Sequence, residues 1–149
     1  MLMPDVNVLI YAHRADDPAH AFYRRWVEQL ATGPEPFALS LEVATAFVRI
    51  VTHDRFPGGP TPLAQAVAVI DALRQTPGCR LLAPGDRHWE LFRRMCEASR
   101  ASGKRVGDAR HAALAVEHGC TWVTRDADFQ DFVPAGLRLE MLRPEADGR

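Results

Sequence analysis

Short apolar segments alternate with amphipathic helical patterns along this chain of 149 residues. Apolar residues recur at helical spacing over 18–31 and 41–52, and in further segments that begin at Leu63, follow Asp86 and end before Gly119. Short apolar runs separate these helices and are predicted to be strands: the opening stretch before Asp5, 36–40, 79–84, 120–124 and 137–142. Alternation of this kind is typical of a parallel sheet with helices on both faces. The sequence therefore predicts an α/β fold with a central, mostly parallel sheet.

Two helix boundaries in the second half of the chain depend on single residues. Asp86 is predicted to cap the helix that follows it, since Asp is a preferred N-cap residue. That helix carries Phe92 and Met95 on its apolar face and is predicted to continue through 99–105. The alanine-rich helix that comes next is then predicted to begin at Asp108.

Composition places the chain among globular proteins. It is 47% hydrophobic and 25% charged, with a formal net charge of −1. No linker or low-complexity segment divides it, so we expect one domain over residues 1–149. The longest apolar run near the start, 8–12, is too short to span a bilayer, and no signal peptide precedes it. Three cysteines without a C-x-x-C pair indicate reduced thiols and a cytoplasmic protein without a membrane anchor.

Four acidic residues occupy positions where strands end or a helix begins. They are Asp5, Glu42, Asp108 and Asp126. Helix capping is an alternative explanation for Asp108 and Asp126, and Glu42 suits the dipole of the helix that it begins. Asp5 has no such explanation, because the strand before it is apolar and no Lys or Arg lies within eight residues of it.

The predicted strand order brings these acids to one place. The carboxyl ends of parallel strands meet at one edge of a sheet, where α/β proteins bind their ligands. Asp5, Glu42 and Asp126 are expected to meet there, and Asp108 can join them from its helix. Two unit charges about 4 Å apart repel by roughly 4 kcal/mol at an effective dielectric constant near 20. Such a group needs a cation, and Mg²⁺ and Mn²⁺ prefer carboxylate oxygens.

Other catalytic patterns are absent from the sequence or incomplete. It has no G-x-x-x-x-G-K-[ST], G-x-S-x-G or H-E-x-x-H motif, and His111 and His118 fit structural histidines on one helix. The segment "DVNVL" (5–9) resembles the D-x-D-x-[TV] opening of haloacid-dehalogenase-like phosphatases, but Asn7 replaces the second Asp. Such a phosphatase is a minor alternative.

Three segments resemble, in order, the motifs of the PIN domain family, and within it those of VapC-type toxin ribonucleases. "DVNVLIYAHR" (5–14) is similar to the opening motif, whose Asp ends a strand, and "LSLEVATAF" (39–47) to the segment that carries the family's Glu. "GDARHAALAVEHGCTWVTRDADF" (107–129) is similar to the D-x-x-x-A-A-x-A, G and T-x-D-x-D-F signature. The resemblance covers nearly the whole chain and implies a three-layer α/β/α fold.

The resemblance implies hydrolysis of RNA phosphodiester bonds with Mg²⁺ or Mn²⁺. The implied catalytic metal ligands are Asp5, Glu42, Asp108 and Asp126. The implied supporting residues are the polar Asn7 and Thr124 and a further carboxylate, Asp128. Residues expected to contact RNA phosphates are Arg100, Lys104 and Arg105.

Two residues depart from the family pattern, and neither is a metal ligand. Val6 stands where Thr or Ser is common, and His111 stands where an aliphatic residue is usual. A PIN-like module that binds RNA or serves as a scaffold without catalysis is the second alternative. A complete set of four acids favours the enzyme over this alternative.

The resemblance also implies two protein partners, a cognate antitoxin and a second copy of the chain in a homodimer. The helices over 18–31 and 41–52 carry broad apolar stripes, and surplus apolar surface marks interfaces. The candidate interface residues are Phe22, Tyr23, Trp26, Phe47 and Val48. An inhibitory antitoxin segment is expected to insert Arg or Lys among the carboxylates. Basic residues expected to ring that groove are Arg49, Arg100, Lys104, Arg105, Arg110 and Arg125.

Overall fold

Strands and helices alternate along residues 1–145, the part of the chain that this computed structural model describes; 146–149, the end of the expected domain, lie outside it. The strands are β1 (Leu2–Pro4), β2 (Phe37–Ser40), β3 (Cys79–Leu82), β4 (Thr121–Thr124) and β5 (Arg138–Met141). The α-helices are α1 (Val6–His13), α2 (His20–Thr32), α3 (Leu41–Val51), α4 (Leu63–Arg74), α5 (His88–Ser99) and α6 (Lys104–Glu117). A 3₁₀ helix, Ala127–Ala135, lies between β4 and β5.

All the recorded strand pairs are parallel, as the alternation predicts. β4 pairs with β1 on one side and with β5 on the other, and β2 pairs with β3. These pairs form a three-stranded sheet, β1-β4-β5, and a two-stranded sheet, β2-β3, and β2 contacts β1, so the order across the molecule is β3-β2-β1-β4-β5. The carboxyl ends of β1 and β4 therefore lie along one edge, where Asp5 and Asp126 follow them, and Glu42 follows β2 in the adjoining sheet.

Side chains of β4 show how both faces of the sheet are covered. Trp122 packs on His111 of α6 and on Phe129 of the 3₁₀ helix, with ring centroids 5.2 and 5.3 Å apart. The next residue, Val123, belongs to a separate apolar cluster with Val8 of α1. Successive side chains of a strand point to opposite faces. Helices thus lie on both sides of the sheet, which confirms the predicted three-layer α/β/α fold.

Two of the five residues proposed for an interface belong to the core. Tyr23 and Phe47 are fully buried, so the prediction that they add to an exposed apolar stripe is wrong. The Tyr23 hydroxyl also donates a 2.8 Å hydrogen bond to the carbonyl oxygen of Leu142, which ties α2 to the chain after β5. The partly buried members of the set are Phe22, Trp26 and Val48.

The boundary between α5 and α6 differs from the prediction. Arg100 has a left-handed backbone conformation, with φ of 52°, and ends α5. Gly103, with φ of 56°, then precedes α6. Residues 100–103 therefore form a turn that interrupts the helix predicted to continue through 99–105, and Asp108 lies on the second turn of α6 rather than at its start. Capping does not explain Asp108.

The predicted cap of α5 is also wrong. Arg87, and not Asp86, occupies the N-cap position, and it makes no side-chain capping bond. The carboxylate of Glu117 at the end of α6 accepts hydrogen bonds from the backbone nitrogens of Gly85 and Arg87, at 2.8 and 3.0 Å. A residue thirty positions away in the sequence from Arg87 thus binds the backbone just before α5.

Within residues 1–145, no helix combines the length and the apolar character that crossing a bilayer requires.

We expect Phe47→Ala to lower the free energy of unfolding by about 3–5 kcal/mol, because the ring is fully buried and its removal leaves a cavity. Trp89 is 68% exposed, so Trp89→Ala serves as the control and should change stability by less than about 0.5 kcal/mol. Chemical denaturation of the two variants measures the difference. A Phe47→Ala protein as stable as the wild type would contradict the core position of this ring.

Candidate active site

Asp5 is a buried carboxylate that caps α1 at the end of β1. Its Oδ1 accepts a 2.6 Å hydrogen bond from the backbone nitrogen of Val6. Its Oδ2 accepts hydrogen bonds from the Oγ1 of Thr124, at 2.7 Å, and from the Nδ2 of Asn7, at 3.3 Å. Asp5 therefore has a structural role as a helix cap, which the sequence did not predict, and these donors hold its carboxylate in one orientation.

Thr124 joins the ends of β1 and β4. While its hydroxyl donates to Asp5, its Oγ1 accepts hydrogen bonds from the Nδ2 of Asn7, at 3.1 Å, and from the backbone nitrogen of Asp126, at 3.0 Å. The two residues expected to support the acidic site, Asn7 and Thr124, thus both contact Asp5. A single hydroxyl sets the relative position of two of the four acids.

The carboxylates of Asp5, Asp108 and Asp126 lie close enough to act on one another. Burial raises the pKa of Asp5 to about 6; hydrogen bonds from Thr124 and Val6 oppose the shift, and the charges of Asp108 and Asp126 add to it. Burial also raises the pKa of Asp108, Lys104 lowers it, and the charge of Asp126 raises it further. These three acids therefore share one region of the protein, whereas Glu42, which was expected to join them, is not among the charges that shift the pKa of Asp5 or Asp108.

Asp108 carries a carboxylate oxygen without a partner. Its Oδ2 is buried, and within residues 1–145 no group donates a hydrogen bond to it. Lys104, at i−4, and Arg105, at i−3, lie in the first turn of α6, so both cations share a helix face with Asp108.

Asp126 and Asp128 begin the 3₁₀ helix. The Oδ1 of Asp126 accepts a 2.9 Å hydrogen bond from the backbone nitrogen of Asp128, so the capping explanation holds for Asp126. Asp128 itself is exposed. Its charge reaches Asp108, whose pKa it raises. The structure thus places Asp128 at the margin of the acidic region.

Glu42 is paired with a basic residue of α6. Its Oε2 lies 3.0 Å from the Nε of Arg110 and 3.8 Å from the Nδ1 of His111. The Arg110 contact is an ion pair without hydrogen-bond geometry, since Oε2 is buried and accepts no hydrogen bond from residues 1–145. Neither contact was predicted, although Arg110 and His111 follow Asp108 by two and three positions.

His111 is buried beside Glu42 and is neutral at pH 7. Its ring stacks on Trp122 at an interplanar angle of 17°. Burial lowers the pKa of His111 to about 4, and the charge of Arg110 adds to the shift. The prediction of a structural histidine agrees with this packing. Because the imidazole carries no charge, Arg110 is the cation that balances Glu42 here.

Two of the basic residues expected around the site are engaged elsewhere. Arg105 forms an ion pair with Asp131. The guanidinium of Arg125 lies 3.9 Å from the ring centroid of Tyr11, on the α1 side of the sheet. Arg125 lies between Thr124 and Asp126 in the sequence, and its guanidinium packs on an aromatic ring of α1.

The donor set fits a hard divalent cation. The acidic side chains here offer carboxylate oxygens, which suit Mg²⁺ or Mn²⁺, and within residues 1–145 the buried Oδ2 of Asp108 and Oε2 of Glu42 lack hydrogen-bond donors. In the described part of the chain, however, no three His, Cys, Asp or Glu side chains are grouped as an ion would need them.

Comparison with known proteins agrees with the fold. A model of the PIN domain family matches residues 2–133. The chain therefore belongs to the PIN domain family. This assignment leaves the haloacid-dehalogenase-like alternative without support.

Curated relatives within this family are VapC proteins. Ribonuclease VapC43 of Mycobacterium tuberculosis is 43% identical over 89% of this chain and 90% of its own length. Ribonuclease VapC25 of the same organism is 39% identical over 89% of this chain and 93% of its own length.

Solved structures share the fold at low identity. Mycobacterium tuberculosis VapC20, described as a sarcin–ricin loop cleaving toxin, superposes with a TM-score of 0.64 at 18% identity, covering 97% of this chain and 100% of that one. VapBC2 of Rickettsia felis, bound to a promoter DNA fragment, gives a TM-score of 0.65 at 18% identity, with 94% and 97% covered.

Without metal, Asp5 and His111 are expected to give opposite pH dependences of stability. The folded-state pKa of Asp5 is about 6, above its ordinary 3.8, so its ionisation lowers stability as the pH rises across that interval. The folded-state pKa of His111 is about 4, below its ordinary 6.5, so stability falls as the pH drops across that interval. Each shift corresponds to about 3 kcal/mol, and in the wild type the two effects oppose each other.

Single substitutions separate the two effects. In EDTA, the unfolding free energy of Asp5→Asn should fall as the pH is lowered from about 6 to about 4, whereas that of His111→Leu should rise. Denaturant titrations across this interval measure both, with Asp86→Asn, an exposed loop carboxylate, as the control. Identical pH profiles for all three variants would contradict the buried positions of Asp5 and His111.

Proposed function

We propose that this chain is a metal-dependent endoribonuclease and the toxin of a toxin–antitoxin pair. Its membership of the PIN domain family supports this function, as do curated relatives named ribonuclease VapC at 43% and 39% identity. The observation that carries the proposal is the group of mutually acting carboxylates, Asp5, Asp108 and Asp126, in which Asp108 has a buried oxygen without a partner.

The proposed metal ligands are the four acids Asp5, Glu42, Asp108 and Asp126. When bound, Mg²⁺ or Mn²⁺ supplies an activated water and neutralises charge that develops on the phosphate. Hydrolysis would join the oxygen of water to phosphorus and break the bond from phosphorus to one ribose oxygen, which would leave as a hydroxyl group after taking up a proton. The carboxylates are thus ligands and not nucleophiles.

Other residues of the chain orient these ligands. Thr124 and Asn7 donate to Oδ2 of Asp5 and the backbone nitrogen of Val6 donates to Oδ1, so this carboxylate is held in one orientation. Asp128 adds negative charge near Asp108. Its exposed position suits a carboxylate outside the metal's direct ligands.

RNA is the proposed substrate, and its phosphates need cations near the acids. Lys104 is exposed in the first turn of α6 and acts on Asp108, which favours it as a phosphate contact. Arg100 is also exposed, at the end of α5. Arg105 is held by Asp131 and must leave that partner to bind RNA.

A cognate antitoxin and a second copy of the chain are the proposed protein partners. Solved structures of the same fold include VapBC complexes. The exposed apolar side chains of Leu41, Val67 and Leu81 line one groove formed by α3, α4 and β3, which favours association through this surface. The free cysteines Cys79, Cys96 and Cys120 suit the reducing conditions of the cytoplasm.

We expect RNA cleavage to require a divalent cation and to fall at least about 100-fold in Asp5→Asn and in Asp108→Asn, since each variant loses a proposed ligand. Cleavage of a randomised single-stranded RNA pool in Mn²⁺, followed on denaturing gels, measures the loss. Asp86→Asn removes a carboxylate outside the site and should leave the rate unchanged.

Metal binding separates this enzyme from a non-catalytic module. Mn²⁺ should raise the melting temperature of the wild type but not that of Asp108→Asn. Full cleavage in excess EDTA would contradict the metal mechanism. A wild type that binds RNA and neither cuts it nor responds to Mn²⁺ would favour the scaffold alternative.

We expect the antitoxin and Mn²⁺ to compete for the acidic site. An antitoxin Arg or Lys can replace the metal as the counter-charge of Asp5 and Asp108, because unpaired buried carboxylates are costly. Calorimetric titration of Mn²⁺ into the free toxin and into its complex measures this competition. Equal affinities in the two titrations would exclude insertion at the acids and leave blockage of the RNA path as the means of inhibition.

A further inference from the structure

Arg110 occupies a position that neither the proposed metal ligands nor the expected RNA contacts account for. It lies on α6 two residues after Asp108, and its Nε approaches the Oε2 of Glu42 on α3 at 3.0 Å. One cation therefore links the helices that carry two of the four acids. We propose that Arg110 is a substrate-binding residue that pairs with Glu42 while no metal is bound and contacts an RNA phosphate once Glu42 serves as a metal ligand.

The ion pair has the features of an exchangeable contact. The side chain of Glu42 is 22% exposed and that of Arg110 is 51% exposed, so the guanidinium reaches solvent while the carboxylate is mostly covered. The contact lacks hydrogen-bond geometry, because Oε2 accepts no hydrogen bond. The nearest nitrogen in this contact is Nε, and within residues 1–145 no hydrogen bond is recorded for the two terminal nitrogens of Arg110. A guanidinium binds phosphate well through such paired nitrogens.

Within residues 1–145, Glu42 is paired with no Lys or Arg other than Arg110. The other basic group beside it, His111, stacks on Trp122 with its Nδ1 3.8 Å from Oε2, which is beyond hydrogen-bond distance. Arg110 and a divalent cation would repel each other at the same oxygen. Glu42 can therefore bind one or the other strongly, and metal binding frees Arg110 close to the place where the phosphate must lie.

The basic residues expected to bind RNA make a useful contrast. Arg105 is paired with Asp131, which is not among the proposed metal ligands, so metal binding does not release it. Arg110 is paired with a proposed ligand itself. Its availability to RNA is thus coupled to the metal, and binding of substrate by this residue follows formation of the active site.

The test is a pair of measurements whose expected changes have opposite signs. In calorimetric titrations without RNA, Arg110→Ala should bind Mn²⁺ about two- to fivefold more tightly than the wild type, because a competitor for Glu42 is gone. In cleavage of a randomised single-stranded RNA pool, kcat/KM of the same variant should fall about 10-fold or more. The slope of log kcat/KM against log salt should also become shallower by about 0.7, the value for one lost phosphate contact on a single strand.

Two further variants serve as controls. Arg93 on α5 also forms an exposed ion pair with a glutamate, Glu97, and Arg93→Ala should leave both the Mn²⁺ affinity and the salt slope unchanged. Arg110→Lys keeps the positive charge and should restore the salt slope, while kcat/KM recovers only in part because paired hydrogen bonds are lost. If Arg110 only supported the structure, Arg110→Ala would weaken both Mn²⁺ binding and RNA cleavage.

This role of Arg110 rests on the proposed RNA cleavage, and the two can fail separately. Unchanged or weaker Mn²⁺ binding by Arg110→Ala would overturn the exchange at Glu42, and an unchanged salt slope would overturn the phosphate contact, while wild-type cleavage still supports the enzyme. Wild-type protein that cuts no RNA in Mn²⁺ would overturn the proposed function and the phosphate contact with it. The calorimetric measurement would then still decide whether Arg110 competes for Glu42.

Discussion

The carboxylate of Asp5 is the point on which the rest of the site depends. It is 6% exposed and accepts hydrogen bonds from the first residue of α1, from Asn7 and from Thr124 at the end of β4. Without these donors, a charge at this depth would lower stability by several kcal/mol. The parallel pairing of β1 with β4 brings Thr124 to Asp5. The sheet order and the active-site geometry are therefore consequences of the same contacts.

Negative charge accumulates here beyond what the protein itself neutralises. Burial raises the pKa of Asp5 and of Asp108, and the neighbouring acids raise both further. Lys104 and Arg110 offset part of this charge from the surface. Selection for stability alone would replace such acids. Clusters of acids with raised pKa values are typical of functional sites. An incoming divalent cation therefore gains binding free energy from repulsion that the folded chain already contains.

Sequence patterns predicted the structural features that depend on local periodicity. The strands, and with them the meeting of Asp5 and Asp126, follow from the alternation of apolar segments and the rule that parallel strands end at one edge. The turn after α5 was not predicted because the residue in the left-handed conformation there is Arg100. Arginine rarely adopts this conformation. The Arg110–Glu42 pair escaped because it joins residues 68 positions apart on α6 and α3. Burial of Phe47 depends on the neighbouring helices, which no local pattern describes.

His111 determines what kind of partner Glu42 has. In an aliphatic environment Glu42 would meet Arg110 alone, and with a charged imidazole it would be held from two sides. The neutral ring, stacked on Trp122, fills the space beside Oε2 and, like an aliphatic side chain, adds no charge. The same stacking connects Glu42 to β4, the strand whose end carries Thr124 and Asp126. A departure from the usual family residue thus leaves Glu42 balanced by one cation, which can be exchanged for another.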